Sequence, residues 1–144
     1  MDFDEGISLH TEATDAELDF IWNGILDYNR TVGPMLKYPP YEAVNLILKD
    51  ADGRVVGGIQ CKIYLRCIFV NALWIDEAHR KCGYGKRLMA EAEKRAREQG
   101  CGWIHLDTFS FQGIDFYLKL GFEVFATLDE YPDGVVRYFL KKPL

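Results

Sequence analysis

Long apolar runs, export features and metal-ligand spacings are all scarce in this 144-residue chain. No stretch approaches the ~18 consecutive apolar residues of a membrane-spanning helix. The opening MDFDEGISLH lacks the basic n-region and apolar h-region of an export signal, so a cytoplasmic location is expected. The four cysteines, Cys61, Cys67, Cys82 and Cys101, are irregularly spaced, without a CxxC, and the three histidines are scattered. Neither a metal site nor a disulfide framework is expected, and the thiols should be reduced. A formal charge of −5, from 17 basic against 22 acidic residues, leaves no overall footprint for nucleic acid or an anionic membrane. One local basic patch occurs at Arg80, Lys81, Lys86 and Arg87. What the chain does have is apolar content: 49% hydrophobic and 14% aromatic. At this size roughly 68–70% of the unfolded surface can be buried, enough for one self-sufficient domain. Such a composition excludes disorder.

Periodicity supplies the elements. Gly6–Ala13 alternates Ile7 and Leu9 with polar residues and is expected as a strand. Thr14 or Asp15 can cap a helix carrying Leu18, Ile21, Trp22, Ile25 and Leu26 on one stripe. Thr31–Tyr41, with Gly33, Pro34, Pro39 and Pro40, is expected as an irregular loop, and the Tyr-rich stretch Tyr28–Tyr41 as a wall of the substrate pocket. Ala43–Lys49 and Arg54–Tyr64 flank the turn Asp50–Gly53 as a hairpin, with Gly57-Gly58 marking a bulge or a close backbone approach. Leu65–Ile75 is expected as a central strand with Ile68, Val70, Ala72 and Trp74 on one face. Gly83–Gln99 is a helix with a Tyr84, Leu88, Ala92, Ala96 stripe and Glu91–Arg95 and Glu93–Arg97 pairs, stopped by Gly100. Trp103–Thr108, a short helix Gln112–Leu120, and the strands Phe122–Leu128 and Val135–Lys141 complete a mixed α/β order around one sheet.

The most informative segment is Leu73–Met89. A buried strand ends at Ile75, and a short loop, Arg80-Lys81-Cys82-Gly83-Tyr84-Gly85, opens a helix. The unpaired first-turn N–H groups and the helix dipole converge there on one anion-sized spot. Gly83 and Gly85 let the backbone approach it, and Arg80, Lys81 and Lys86 add charge. A diphosphate suits such a cradle. The P-loop pattern GxxxxGK[ST] is absent, because Arg80 stands where its upstream Gly would be and Arg87, not Ser or Thr, follows Gly85-Lys86. The GxGxxG pattern fails at Leu88.

Arg80-x-x-Gly83-x-Gly85 after an apolar strand resembles the pyrophosphate loop of the GNAT acyl-CoA acyltransferases. Downstream, Phe116-Tyr117-Leu118-Lys119-Leu120-Gly121-Phe122-Glu123 is similar to that superfamily's FY-x-K-LGF-E motif. The interval between the motifs and the order of elements agree, so the resemblance covers essentially the whole chain, most strongly Val70–Val124. Asp107–Gln112 together with Arg137–Leu140 resembles a generic bacterial subgroup. The resemblance implies one α/β (α+β) GNAT-like domain over residues 1–144, a mixed sheet of about six to seven strands with flanking helices. It implies acetyl-CoA as co-substrate and no metal. Backbone groups of Leu73 and Ile75 would pair with the pantetheine arm. Arg80, Lys81, Cys82, Gly83, Tyr84, Gly85 and Lys86 would hold the pyrophosphate. The strands of Leu65–Ile75 and Trp103–Thr108 would splay to admit the thioester. Ser110 stands where many relatives carry a CoA-contacting Asn, and Tyr117 would protonate the departing thiolate.

Acyl transfer to an amine needs a proton acceptor, because an alkylamine of pKa ~10.4 is only about 1 in 2,500 neutral at pH 7. It needs a donor for the oxyanion, such as a strand N–H near Leu73, and an acid for the thiolate. Many relatives carry Glu on the central strand where this chain has Asn71, which cannot take a proton. Asp107 is the candidate base, with His105, Asp129, Glu130 or a water chain as alternatives. The expected acceptor is a small-molecule amine, ahead of a protein amine, with no nucleic acid or membrane partner and a homodimer allowed. A non-catalytic CoA-binding or sensor module is the alternative that Asn71 raises.

Overall fold

A computed structural model describes residues 4–33, 37–38 and 41–144. The chain divides into two compact units, Met1–Lys37 and Tyr38–Leu144. In the first unit, helix α1 spans Asp15–Thr31. Thr14 starts it with a capping box. The Thr14 amide donates to Glu17 Oε2 at 2.7 Å and the Glu17 amide to Thr14 Oγ1 at 3.3 Å. The Thr14 amide, and the Thr14 hydroxyl that donates to the same oxygen at 2.8 Å, hold the Glu17 carboxyl below its ordinary pKa. Residues Tyr28–Thr31, expected in the loop, are therefore helical. Residues 34–36 and 39–40 of that expected loop lie outside the described residues. The strand expected at Gly6–Ala13 does not form: none of it joins a ladder, and Gly6 turns the chain at φ +90°. Alternation of Ile7 and Leu9 marks a strand only where a partner edge supplies hydrogen bonds.

The second unit is one six-stranded sheet: β1 (Glu42–Lys49), β2 (Val55–Tyr64), β3 (Cys67–Ile75), β4 (Trp103–Phe109), β5 (Glu123–Leu128) and β6 (Arg137–Pro143), in spatial order β1-β2-β3-β4-β6-β5. Among the described residues β3 and β4 are the one parallel pair of neighbouring strands, joined by a helical crossover, α2 (Tyr84–Glu98). α3 (Ile114–Lys119) links β4 to β5. Counting α1, the architecture among the described residues is α+β: a mixed open sheet and three α-helices.

The core sits between α2 and one sheet face. Leu88, Met89, Ala92 and Ala96 of α2 meet Ile59, Ile68, Ile104 and Leu140, all four of the latter at 0% exposure. Each such side chain contributes about 1.5–3 kcal/mol by leaving water. The expected Glu91–Arg95 and Glu93–Arg97 pairs form, each at 3.1 Å. Glu93 does more than decorate the surface: it is buried and also binds Lys142 of β6 at 2.8 Å.

Gly57 and Gly58 mark close approaches. A Cβ on Gly57 would stand 2.9 Å from the Trp74 carbonyl, and one on Gly58 2.7 Å from the Leu46 carbonyl. β3 itself is bulged. Gln60 faces Ala72 while Cys61 faces Val70, leaving Asn71 as the extra residue. One added residue inverts the alternation. Leu73 and Ile75, not Ala72 and Trp74, therefore continue the core face of Ile68 and Val70, and Trp74 is 52% exposed. The uninterrupted two-residue period expected for Leu65–Ile75 is corrected by that bulge. Its first two residues, Leu65 and Arg66, form a turn at positive φ.

Candidate active site

β3 and β4 pair only over Cys67–Trp103, Ile68–Ile104 and Phe69–His105. Beyond that point β3 stays on β2 as far as Ile75, and β4 stays on β6 as far as Phe109. The two strands therefore part, as the sequence led us to expect. A cavity of about 920 Å³ fills the gap. Its walls are Val70–Ile75, Leu106–Thr108, the loop residues His79–Lys81 and Gly83–Lys86, then Phe111–Gly113, Phe116 and Tyr117.

The loop is built by local chemistry. Asp76 caps a short 3-10 turn, accepting from the Ala78 amide at 3.2 Å and lying 3.1 Å from His79 Nδ1. The His79 contact is the main reason its carboxyl is held below the ordinary range. Arg80 Nε donates to the Ile75 carbonyl at 2.9 Å, fastening the loop to the strand end. Lys81 and Gly83 both take positive φ, +61° and +78°, which turns the chain into α2. For Lys81 that conformation costs about 1–3 kcal/mol, a strain the surrounding fold must hold. Gly83 caps α2 with no side-chain hydrogen bond, unlike Thr14 on α1, so the first-turn amides of α2 keep their donors. Arg80, Lys81 and Lys86 line the same mouth. The arrangement can hold a polyanion. Gly85, in the same wall, also packs closely: a Cβ there would stand 3.3 Å from the Phe116 ring.

Tyr117, also in the wall, stands edge-on to Phe116 and Phe122, with ring centroids 5.1 and 5.8 Å away. Burial pushes its phenol up from 10, so it stays protonated across the neutral range. Asp107 lines the gap from β4, and Arg137 of β6 reaches it with Nε at 2.9 Å and Nη2 at 2.7 Å, both on Oδ1. Asn71 lines the gap from the bulge.

The cavity thus gathers Leu73, Ile75, Arg80, Lys81, Gly83, Tyr84, Gly85, Lys86, Asp107 and Tyr117, but not every expected residue. Cys82 is exposed, with Sγ 3.4 Å from the Arg80 carbonyl. Ser110 Oγ accepts from the Val136 amide at 3.1 Å and is not part of the wall. Gln112 is in the wall, its Oε1 accepting from the Phe109 amide at 2.8 Å and from Thr108 Oγ1 at 3.2 Å. His105 packs on Phe69 with centroids 4.9 Å apart, and burial pushes its pKa below 6.5. His105, Asp129 and Glu130 all lie outside the wall. Sequence reading singled out neither Phe111 nor His79 as a wall residue. Both are loop positions with no periodicity to place them.

A sheet that parts between two parallel strands, with a basic helix N-terminus and a protonated phenol both lining the gap, has the layout of a group-transfer enzyme. The chain belongs to the acetyltransferase (GNAT) family, whose model matches residues 11–122 and so runs through both units, and it is an acyltransferase. It is 33% identical to the blasticidin-S acetyltransferase of Streptomyces morookaense over 112 residues, 77% of this chain and 82% of that protein. The crystal structure of an acetyltransferase from Bacillus cereus is similar at a TM-score of 0.80 and 34% identity, covering 95% of this chain and 98% of that one. An aminoglycoside 6'-N-acetyltransferase solved with coenzyme A, 19% identical, shares the fold at a TM-score of 0.63 over 71% of this chain and 73% of that one.

Proposed function

We propose that the protein transfers an acetyl group from acetyl-CoA to the primary amine of a small molecule by direct attack in a ternary complex. The observation that carries this reading is the parting of β3 and β4 between a basic, side-chain-uncapped helix N-terminus and Tyr117. The amides and basic side chains from Arg80 to Lys86 hold the pyrophosphate. The pantetheine arm runs along Leu73 and Ile75, with the Ile75 carbonyl already engaged by Arg80. The amine nitrogen attacks the thioester carbon and its proton passes to Asp107, directly or through water. A strand amide near Leu73 stabilises the oxyanion. The C–S bond breaks, and the thiolate takes the Tyr117 hydroxyl proton. The four free cysteines accord with a reducing, cytoplasmic setting.

Two observations favour a second reading, a CoA-binding module without turnover. Asn71 stands on the central strand, and Arg137 already engages Asp107. A panel of primary amines with acetyl-CoA and a free-thiol readout separates the two. Acceptor-dependent CoA release establishes transfer, while tight CoA binding with no release across the panel leaves the module.

A further inference from the structure

We propose that the part of the cavity wall that carries Asp107 and Phe111 is an acceptor subsite for planar cations, with the Phe111 ring as its platform. The inference rests on the transfer reading above and names its substrate class. The arginine and lysine residues of the cavity wall, Arg80, Lys81 and Lys86, all come from the loop into α2 and its first turn, and Asp107 on β4 is the one carboxylate among the described residues of that wall.

Phe111 is the unusual member of that wall, an aromatic ring 70% exposed. It is nonetheless held in place. It lies parallel on Phe109, with centroids 5.3 Å apart and 7° between the planes. Phe109 is fixed in turn by Tyr131 edge-on at 5.3 Å and by the Arg137 guanidinium 5.6 Å from its centroid. A ring stacked on one side and open on the other offers its electron-rich face to a cation. Arg137 on Phe109 already shows a planar cation accepted by this cluster. Arg137 is outside the cavity wall, and its charge is taken by Asp107 and by the rings of Phe109 and Phe139.

Four probes separate charge from shape: benzamidine (planar cation), benzamide (planar, neutral), benzoate (planar anion) and cyclohexylammonium (non-planar cation). Each is titrated calorimetrically into the full chain, with and without saturating CoA. Benzamidine should bind about tenfold tighter than the other three, within the range of a partly desolvated cation–ring contact plus a carboxylate. Phe111→Ala should abolish its advantage over cyclohexylammonium, and Phe111→Tyr should keep it. Asp107→Asn should abolish its advantage over benzamide. Equal affinities, tighter benzoate, or full selectivity in Phe111→Ala would overturn the subsite. CoA that binds normally while the probes show no selectivity sinks the subsite alone, whereas a failure of CoA itself to bind sinks the transfer reading.

Discussion

Arg137 places both Nε and Nη2 on a single oxygen of Asp107, at 2.9 and 2.7 Å, from a position thirty residues further along the chain. The pair bridges β4 and β6 beside the gap where β3 departs. It holds the one carboxylate among the described residues of the cavity wall in one orientation. If Asp107 takes the amine's proton, Asp107→Asn should lower kcat by about 10²–10⁴ while leaving the acetyl-CoA KM within a few-fold. Steady-state kinetics at saturating acceptor decide this. A loss of less than about threefold would assign the proton to water.

The co-substrate cradle predicts a ligand-dependent melting temperature. At a hundredfold excess over its dissociation constant, acetyl-CoA should stabilise the fold by about 2.7 kcal/mol. For a domain of this length that is roughly 5–10 °C. Pantetheine, lacking the diphosphate, should give much less. Gly83 sits at φ +78° with open space around it, so backbone conformation alone restricts the position. Gly83→Val should abolish the shift, whereas Gly83→Asn, which tolerates the left-handed region, should retain most of it. Equal shifts from CoA and pantetheine would remove the pyrophosphate assignment.

Tyr117→Phe keeps the ring packed between Phe116 and Phe122 and removes only the hydroxyl. Acetyl-CoA affinity should stay within a few-fold, and turnover should fall by about 10²–10⁴. Burial raises the Tyr117 pKa above 10, so the wild-type rate should show no alkaline loss from this group below that pH. A variant retaining half the wild-type turnover would take Tyr117 out of the chemistry.

Burial also pushes the Cys61 thiol up to about 12 and raises Cys67, Cys101 and Tyr117 in the same direction. A raised pKa means that the folded state keeps its proton where the unfolded chain has lost it. The stabilisation from the neutral thiol is complete below pH 9 and is lost as pH climbs from there towards 12. Urea denaturation at pH 8, 9.5 and 11 should therefore show falling stability, and Cys61→Ala should flatten that slope. An unchanged slope in the variant would assign the alkaline loss to other groups.

Glu93, with its side chain 8% exposed, binds Lys142 at 2.8 Å and Arg97 at 3.1 Å, tying the last strand to α2. Lys142→Met should cost about 2 kcal/mol in urea denaturation, within the range for a charge-assisted bond. Arg97→Met, removing a half-exposed partner, should cost less than about 1 kcal/mol. Equal effects would show that Glu93 does not depend on its more buried partner.

Several features were written in neighbouring residues and could be read from them. The α2 stripe and its Glu–Arg pairs, the Asp50–Gly53 turn, the Thr14 cap and the glycine loop depend on contacts within about four residues, where periodicity and turn chemistry govern. The parting of β3 and β4 followed from the family resemblance. The bulge at Asn71 did not, because an extra residue shows only against the register of β2. The Gly6–Ala13 alternation misled for the same reason, since a strand is completed by its neighbour.

The sequence by itself determined the order of elements from α1 onward, the basic loop into α2 and the phenol at position 117. The tertiary structure alone decided which residues face the gap. Asp107 enters it bound to Arg137, Ser110 turns away to the Val136 amide, and Phe111 takes a place in the wall on Phe109. The physical reason is that these placements are set by side-chain contacts and ladder registers between distant segments. Local propensity carries no information about such long-range pairings.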